Sequence, residues 1–347
     1  MPRLRVGFLG AGLIATYHSK SLRASQADRP NVEVQRAGVF DVDTARAEAF
    51  AERSGSHVCS SEDEVLDGCD AVYVCTWTSE HPRLVAAAAE RGLSVFCEKP
   101  LGVDLATARE ITETVERAGV VNQVGLVLRH SPAFGMLKAL AADERSGRPM
   151  SIVFRDDQYI PIQGGYGSTW RGDVTKAGAG TLLEHSIHDL DMLEHVVGPI
   201  ASVSARSSSF HAIPGIEDSV ALTLAFANGA VGTLVSVWHD VMERPSLRRI
   251  ELFCERSYSL VEGDWFGPVT STTTGEQQIV LEGSELEAEA ASRGAVLGNP
   301  DGAFVDAIAK GEPAWPSFAD ALRAHVVADA VYRSAASGGD AVAVPAP

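Results

Sequence analysis

The chain has 347 residues, which is long for one domain and comfortable for two. Hydrophobic residues make up 45% of it and charged residues 22%, a composition typical of a globular protein and not of a disordered one. The formal net charge of −17 argues against nucleic acid or an anionic membrane as the main partner, because both attract Lys and Arg. No apolar run reaches about 18 residues, so no membrane span is predicted.

Strands and helices alternate through the first 128 residues. Apolar runs predict strands over residues 4–9, 32–40, 71–76, 93–97 and 120–128. Helices are predicted to end near residue 24 and to extend over residues 44–53, 81–91 and 104–118. This alternation is typical of a parallel sheet with helices on both faces.

The pattern changes near residue 130. After a helix over residues 132–142, strands are predicted over residues 151–159, 201–209, 219–227, 230–238, 249–254, 258–261 and 277–281. Few helices separate them, and Asn228-Gly229 forms a tight hairpin. Helices near residues 302–310 and 318–334 follow, while residues 284–293 fit either a short helix or a loop. We therefore expect two domains, residues 1–128 and residues 129–347, the second built on a large, mostly antiparallel sheet.

One face of the predicted strand at residues 219–227 is large and apolar, and the other is small and uncharged. A sheet face of the second kind is more often covered than wet, either by helices or by another subunit.

The five cysteines bear on the cellular compartment. They are Cys59, Cys69, Cys75, Cys97 and Cys254, and no two of them are spaced Cys-x-x-Cys. An odd number of thiols, mostly in apolar strand-like segments, indicates reduced cysteines in a cytoplasmic protein.

A glycine-rich turn follows the first predicted strand. Gly10-Ala11-Gly12-Leu13-Ile14-Ala15 fits the pattern G-x-G-x-x-A between a strand and a helix, where it predicts a dinucleotide pyrophosphate site. Asp41 ends the second strand, where a carboxylate accepts from a ribose 2′-hydroxyl and repels a 2′-phosphate. The nearest basic residue is Arg46, so NAD is favoured over NADP. The alternative for Asp41 is a helix cap.

The tripeptide Glu98-Lys99-Pro100 ends another strand of the parallel sheet, at the edge where such folds bind ligands. An amine can lose its proton when desolvated, whereas a guanidinium effectively cannot. Lys99 is therefore suited to handling a proton or to hydrogen-bonding a substrate hydroxyl.

The stretch GAGTLLEHSIHDLD, residues 178–191, predicts one helix that begins near Thr181 and ends at Gly198-Pro199. On it Glu184, His188 and Asp191 share one face. Their spacing fits a metal site that still lacks a third ligand, a capped polar helix, or a general base, His188, oriented by a carboxylate. Spacing alone does not choose among the three.

Together, the segments GFLGAGLIA, FDVDTARAEAFA, TSEHPRLVAAAAERGLSVFCEKPL and GAGTLLEHSIHDLD resemble, in order and spacing, the Gfo/Idh/MocA family of glucose–fructose oxidoreductases and inositol dehydrogenases. The resemblance implies a Rossmann domain over residues 1–128. It implies an open-faced sheet domain over residues 129–347 that binds substrate and forms a homodimer or homotetramer.

The resemblance also implies roles for single residues. Lys99 contacts the reacting hydroxyl, His188 is the acid–base residue, and Glu184 stands where the family often has Asp, so that these three are the catalytic candidates. Asp191 is expected to be structural. The expected cofactor-binding residues are Gly10, Gly12, Leu13, Ile14, Asp41, Thr76, His81, Glu98 and Lys99. The expected substrate-binding residues are Arg129, Trp170, Arg171, Glu184 and His188. No metal is expected, because Lys99 and His188 can polarise the oxygen.

We therefore expect an NAD(P)-dependent oxidoreductase that moves a hydride between nicotinamide and a secondary alcohol or ketone of a sugar, inositol or polyol. Two alternatives are a non-catalytic regulator that senses a dinucleotide or sugar and a redox-neutral, NAD-dependent glycoside hydrolase.

Overall fold

The computed structural model describes residues 3–29 and 31–347. The chain forms two compact units, one of Met1–Leu126 with Gly298–Leu322 and one of Val127–Leu297 with Arg323–Pro347. None of the helices in the described part of the chain has both the length and the apolar character needed to cross a membrane.

The first unit is built on a parallel six-stranded sheet in the order β3-β2-β1-β4-β5-β6. Its strands are β1 (Arg3–Leu9), β2 (Glu33–Phe40), β3 (His57–Val58), β4 (Ala71–Val74), β5 (Ser94–Cys97) and β6 (Asn122–Val124). Strand β1 lies between β2 and β4, so the strand order reverses beside it. In such sheets ligands bind at the carboxyl ends of the strands at this reversal.

The second unit is built on a nine-stranded sheet in the order β14-β13-β12-β11-β7-β10-β9-β8-β15. Its strands are β7 (Pro149–Tyr159), β8 (Ile200–Ser208), β9 (Ser219–Phe226), β10 (Val231–His239), β11 (Leu247–Cys254), β12 (Ser257–Gly263), β13 (Val269–Thr273), β14 (Ile279–Leu281) and β15 (Val342–Ala343). All its pairings are antiparallel except that of β10 with β7. The predicted fold class is confirmed.

Helices cover these sheets. They are α1 (Leu13–Ser25), α2 (Thr44–Ser54), α3 (Glu62–Asp67), α4 (His81–Glu90), α5 (Leu105–Ala118), α6 (Pro132–Ala142), α7 (Val174–Ala177), α8 (Thr181–Glu184), α9 (Ile187–Val197), α10 (Gly283–Ser292), α11 (Pro300–Lys310) and α12 (Phe318–Ala336). Residues of α6 and α9 join one hydrophobic core with β7 to β12, which fixes α9 on the inner face of the second sheet.

Two elements differ clearly from the sequence predictions. The strand predicted over residues 120–128 is only β6, and Val127–His130 forms a 3-10 turn. The helix predicted from Thr181 to residue 197 breaks into α8 and α9 at His185 and Ser186. The Ser186 hydroxyl bonds to Asp156 and Ser236 of neighbouring strands, and these contacts hold the chain in the break.

Residues 298–322 also group differently from the predicted division into residues 1–128 and 129–347. They pack with the first unit because Asn299 bonds to Ser21 of α1 and Asp306 pairs with Arg29. Phe304 joins the apolar cluster of the first sheet.

Candidate active site

The turn between β1 and α1 is the cradle that the glycine pattern predicts. Gly10 has a φ of 88°, and a Cβ on it would press against the backbone of Cys75. Gly12 precedes α1, and a Cβ there would have no protein atom within 4 Å. A pyrophosphate can therefore approach the backbone at the start of α1, whose N–H groups and dipole favour an anion. Leu13 and Ile14, beside the cradle, are substantially exposed.

Asp41 lies against this cradle. Its Oδ2 accepts the Ala11 N–H at 2.8 Å, and its Oδ1 accepts the Asp43 N–H at 2.9 Å. Each carboxylate oxygen has a second lone pair, so these bonds leave capacity for a ribose hydroxyl. Arg46 lies 3.8 Å from Asp41, so a 2′-phosphate would meet a carboxylate and a guanidinium side by side.

The turn after β5 holds Glu98, Lys99 and Pro100. Glu98 is buried, and its Oε2 accepts the Lys99 N–H at 3.2 Å. His81 is also buried, and its Nδ1 lies 3.0 Å from the Pro100 carbonyl oxygen. Burial lowers the pKa of His81, so its ring is neutral and donates to that oxygen. The contacts of Glu98 and His81 thus hold the backbone on both sides of Lys99, and their roles as cofactor ligands stay predictions.

Thr76, the remaining expected cofactor residue, follows β4. Its hydroxyl lies 3.4 Å from the Trp77 carbonyl oxygen, and its side chain is half-buried. Strands β1, β4 and β5 are parallel, so the cradle, Thr76 and Lys99 all follow the carboxyl ends of neighbouring strands in the first unit.

The second unit brings three predicted substrate residues together. The Glu184 side chain is fully buried, and its Oε2 accepts from Arg171 Nε at 3.0 Å. The Arg171 guanidinium lies over the Trp170 ring, 4.3 Å from its centroid. This arrangement is a carboxylate, a cation and an aromatic face in one place, which are the groups that bind a polyhydroxylated ring.

His188 is the second residue of α9, immediately after the break from α8. His185, three residues before it, and Asp189, the next residue, belong to a buried ionic network. Arg248 lies 2.7 Å from Asp189 and 3.2 Å from Asp156, and His185 lies 2.8 Å from Asp156. The network anchors the start of α9 from β7 and β11, the strands that carry Asp156 and Arg248.

Two carboxyl groups of that network, those of Asp156 and Asp189, both pair with Arg248 and influence each other. Burial, opposed by Arg248 and reinforced by Asp156, raises the pKa of Asp189 to about 7. Burial also raises the pKa of Asp156. Burial and the proximity of the two carboxyls thus outweigh the charge of Arg248, and both are harder to ionise than ordinary aspartates.

Asp191 forms a two-point ion pair with Arg129. The Arg129 Nε lies 2.9 Å from one carboxylate oxygen and the terminal nitrogen lies 2.7 Å from the other, with both side chains largely buried. This geometry agrees with a structural Asp191. Arg129 as a substrate contact stays a prediction, since the contact that the structure describes is this pair.

The sequence patterns did not indicate several residues that support the site. They are His18, Asp301, Asp156 and Arg248, each of which is buried. The pairing of Asp301 with His18 spans 283 residues, so no local pattern could have revealed it.

A group with metal-ligand spacing lies elsewhere in the first unit. Among the described residues, ligand atoms of His57, Cys59 and Glu64 lie within 4.8 Å of one another. Burial raises the pKa of the Cys59 thiol, which disfavours the thiolate that binds metals.

The fold and the glycine cradle define a dinucleotide-binding protein. Residues 4–126 match the family described as "Oxidoreductase family, NAD-binding Rossmann fold", and residues 134–258 match "GFO/IDH/MocA C-terminal domain". The chain belongs to the Gfo/Idh/MocA family of oxidoreductases.

Curated relatives of the chain include dehydrogenases and a reductase. The chain is 28% identical to inositol 2-dehydrogenase of Rhizobium meliloti over 96% of its own length and 97% of the relative. It is 29% identical to 1,5-anhydro-D-fructose reductase of Ensifer adhaerens over 82% of each chain. It is 31% identical to scyllo-inositol 2-dehydrogenase (NAD(+)) of Bacillus subtilis, an alignment that covers 66% of each chain. The chain is an enzyme of this NAD(P)-dependent dehydrogenase and reductase class.

Solved structures share the fold over the whole chain. A levoglucosan dehydrogenase in complex with NADH superposes with a TM-score of 0.86 at 23% identity, covering 99% of this chain and all of that one. GenD2 from gentamicin A biosynthesis, in complex with NAD, gives a TM-score of 0.81 at 26% identity, covering 100% and 97%.

Proposed function

We propose that the chain is an NAD-preferring dehydrogenase or reductase that interconverts a secondary alcohol and a ketone on a sugar, inositol or related polyol. One observation carries the proposal. The glycine cradle and Lys99, whose backbone is held on both sides, lie at the same edge of the first sheet. Such an edge can bind a dinucleotide and can place a lysine against the reacting oxygen of a substrate.

The substrate class follows from the relatives and from the second unit. The relatives act, by their names, on inositols and on 1,5-anhydro-D-fructose, all of which carry several hydroxyl groups on a six-membered ring. Arg171 and Trp170 supply a donor and an apolar face for such a ring, and the buried Glu184 carboxylate holds Arg171 in place.

The chain's own residues move and hold the proton. His188 accepts the hydroxyl proton in oxidation and returns it in reduction, and Lys99 donates a hydrogen bond to the same oxygen. Glu184, four residues before His188, acts on the substrate through Arg171, which its carboxylate holds. The bound nicotinamide supplies the hydride acceptor or donor at its C4. The support for these roles is the family resemblance together with the position of His188 at an anchored helix start.

Asp41 supports the preference for NAD. It is buried against the cradle, where its charge repels a 2′-phosphate. Arg46 weakens this repulsion because it lies beside Asp41, so we expect a moderate preference and not strict exclusion of NADP.

We further propose a cytoplasmic homodimer or homotetramer formed through the outer face of the second sheet. The large apolar residues Val153, Val231 and Phe253 share the outer face of its strands and are more than a third exposed in the single chain. An apolar sheet face of this kind is typical of a subunit interface.

A substrate panel tests the proposed function. Purified enzyme is incubated with inositols, aldoses, anhydro sugars and simple secondary alcohols, each with NAD or NADP, and reduced cofactor is measured. We expect sustained reduction with at least one ring polyol and little with simple alcohols. Cofactor binding without turnover on any alcohol would contradict the proposal and favour a sensor, and bond cleavage of a glycoside without net reduction would favour a hydrolase.

A further inference from the structure

His18 is a fully buried histidine that the proposed chemistry does not use. It lies on α1 and packs against the stacked rings of Tyr73 and Phe96, whose centroids are 5.2 and 4.7 Å from its own. Its Nδ1 lies 2.7 Å from Asp301 Oδ1, and its Nε2 lies 2.8 Å from Glu98 Oε1. Both ring nitrogens therefore face carboxylate oxygens, and both must carry hydrogen to bond to them.

The charges around His18 support an imidazolium. Burial alone would lower the pKa of His18, but Asp301 and Glu98 outweigh it and raise this pKa to about 10. The other titratable groups packed nearby are Tyr73, Cys75 and Cys97, whose pKa values burial raises, so they are neutral. The cluster thus has one cation between two carboxylates in the interior of the first unit.

The cluster connects the glycine cradle to Lys99. His18 lies on the helix that begins at the cradle, and Glu98 uses its second oxygen to accept the Lys99 N–H at 3.2 Å. A side chain at Gly125 would overlap the Glu98 carboxylate, so only glycine leaves room for this group. The bond to His18 thereby fixes the carboxylate that holds the backbone of Lys99.

We propose that His18 is a positioning residue for Lys99: its imidazolium, clamped between Asp301 and Glu98, orients the carboxylate that holds the Glu98-Lys99-Pro100 turn. The inference rests on the proposed function, in which Lys99 contacts the reacting oxygen. His18 itself touches neither cofactor nor substrate.

The variant His18→Gln tests this. A glutamine amide donates to only one carboxylate and presents its carbonyl oxygen to the other, so the Glu98 carboxylate loses its fixed position. We expect kcat to fall about 10- to 100-fold, as a displacement of about 1 Å can slow a positioned reaction by about 10²-fold. The KM for NAD should change little, because the cradle is intact.

Chemical labelling of lysines gives a readout that does not depend on turnover. The chain has five lysines, Lys20, Lys99, Lys138, Lys176 and Lys310, so mass spectrometry can follow each one after brief acylation. In His18→Gln the labelling rate of Lys99 should rise several-fold relative to Lys138, Lys176 and Lys310. The pH at which the labelling rate of Lys99 reaches half its maximum should also shift in His18→Gln.

A second substitution provides a rescue. In His18→Gln with Asp301→Asn, the asparagine amide can donate to the glutamine carbonyl, which leaves the glutamine amide to donate to Glu98. We expect this double variant to recover most of the kcat and the wild-type labelling of Lys99. If His18→Gln does not fold, Glu98→Gln should alter Lys99 labelling, whereas Asp301→Asn, which keeps the His18–Glu98 pair, should not.

The outcomes are separable. The positioning role would be overturned if His18→Gln folds and keeps the wild-type kcat and the wild-type labelling of Lys99. It would also be overturned if Lys99 is labelled equally in Glu98→Gln and in Asp301→Asn. If the wild-type enzyme turns over no polyol, but Lys99 labelling still rises in His18→Gln, the positioning role stands and the proposed function is wrong.

Discussion

Lys99 is the residue on which the proposed chemistry depends most. Its backbone is held through Glu98 on one side and, through the Pro100 carbonyl, by His81 on the other, while its side chain is half-buried. An ammonium group in such a place can donate to an oxygen and can also give up its proton, which a guanidinium cannot. The protein therefore fixes the backbone of Lys99, and the ammonium group of Lys99 contacts the reacting oxygen in the proposed reaction.

The variant Lys99→Ala should separate binding from turnover. We expect kcat/KM for the polyol to fall about 10²- to 10⁴-fold, the usual value of a positioned acid–base group. NAD affinity, measured by calorimetry, should stay close to wild type because the cradle lies on another strand. Lys310→Ala, at the exposed end of α11, is the matched control. Retained turnover in Lys99→Ala would remove this lysine from the mechanism.

Residue types were easier to predict than residue partners. The glycine pattern and Glu98-Lys99-Pro100 are local, so the sequence was sufficient to locate the cradle and the lysine. The Arg129–Asp191 pair joins positions 62 residues apart, and the sequence suggested a structural Asp191 without identifying its partner. Long-range ion pairs leave no local periodicity, and these partners therefore emerged only from the fold.

At the scale of elements, the break between α8 and α9 defines the candidate site of the second unit. Glu217 caps the start of α8, because its carboxylate accepts the N–H groups of Gly180 and Leu182 at 2.8 and 3.0 Å. The buried network of Asp156, Asp189 and Arg248 then holds the start of α9. Sequence periodicity predicted one continuous helix here, since neither glycine nor proline marks the break.

Gly180→Ala should disturb the start of α8. A Cβ at this position would overlap the Glu217 carbonyl oxygen, which is backbone and cannot move aside cheaply. We expect a loss of about 1–3 kcal/mol in the free energy of unfolding, as for other overpacked sites, together with reduced turnover. In the control Gly172→Ala the new Cβ would make only an ordinary contact with Ile162 at 3.5 Å. Equal stability of the two variants, measured by urea unfolding, would contradict this account.

The stability of the protein should depend on the protonation of Asp189, which belongs to the network that holds the start of α9. The pKa of Asp189 is raised in the folded protein to about 7, so the folded state binds this proton more tightly than the unfolded state does. Stability is therefore lost as the pH rises from about 4 to about 7, by at most about 1.4 kcal/mol per pH unit. Asp189→Asn carries no such proton, so its free energy of unfolding relative to wild type should increase across this window. Parallel stability–pH curves for the two proteins would show that Asp189 titrates normally.

At the scale of the whole molecule, the sequence predicted both sheets and their classes. Alternating strands and helices predicted the parallel sheet, and short strands without intervening helices predicted the antiparallel one. The grouping of residues 298–322 with the first unit was not predictable, because it depends on contacts with α1 nearly 280 residues earlier. The exposed face of the second sheet is the large-scale feature with a functional consequence.

The substitution Val153→Arg tests that face. Val153 lies on β7 between Thr233 of β10 and Glu251 of β11, and its side chain is 41% exposed. We expect wild-type protein to elute as a dimer or tetramer and the variant to shift toward the monomer, because the longer, charged side chain would collide with the facing subunit and would have to be desolvated there. Phe210→Ser, off the sheet and 81% exposed, is the control. Light scattering that gives a monomeric wild type would contradict the proposed assembly.

The central claim is that a hydride passes from a ring carbon of a polyol to the cofactor. The most direct test supplies NAD and the best polyol of the substrate panel with deuterium on its ring carbons, and measures the mass of the reduced cofactor. The account predicts reduced nicotinamide that carries one deuterium at C4, with the yield strongly reduced in His188→Asn and Lys99→Ala. Reduced cofactor without deuterium, or no reduced cofactor with any polyol, would contradict it.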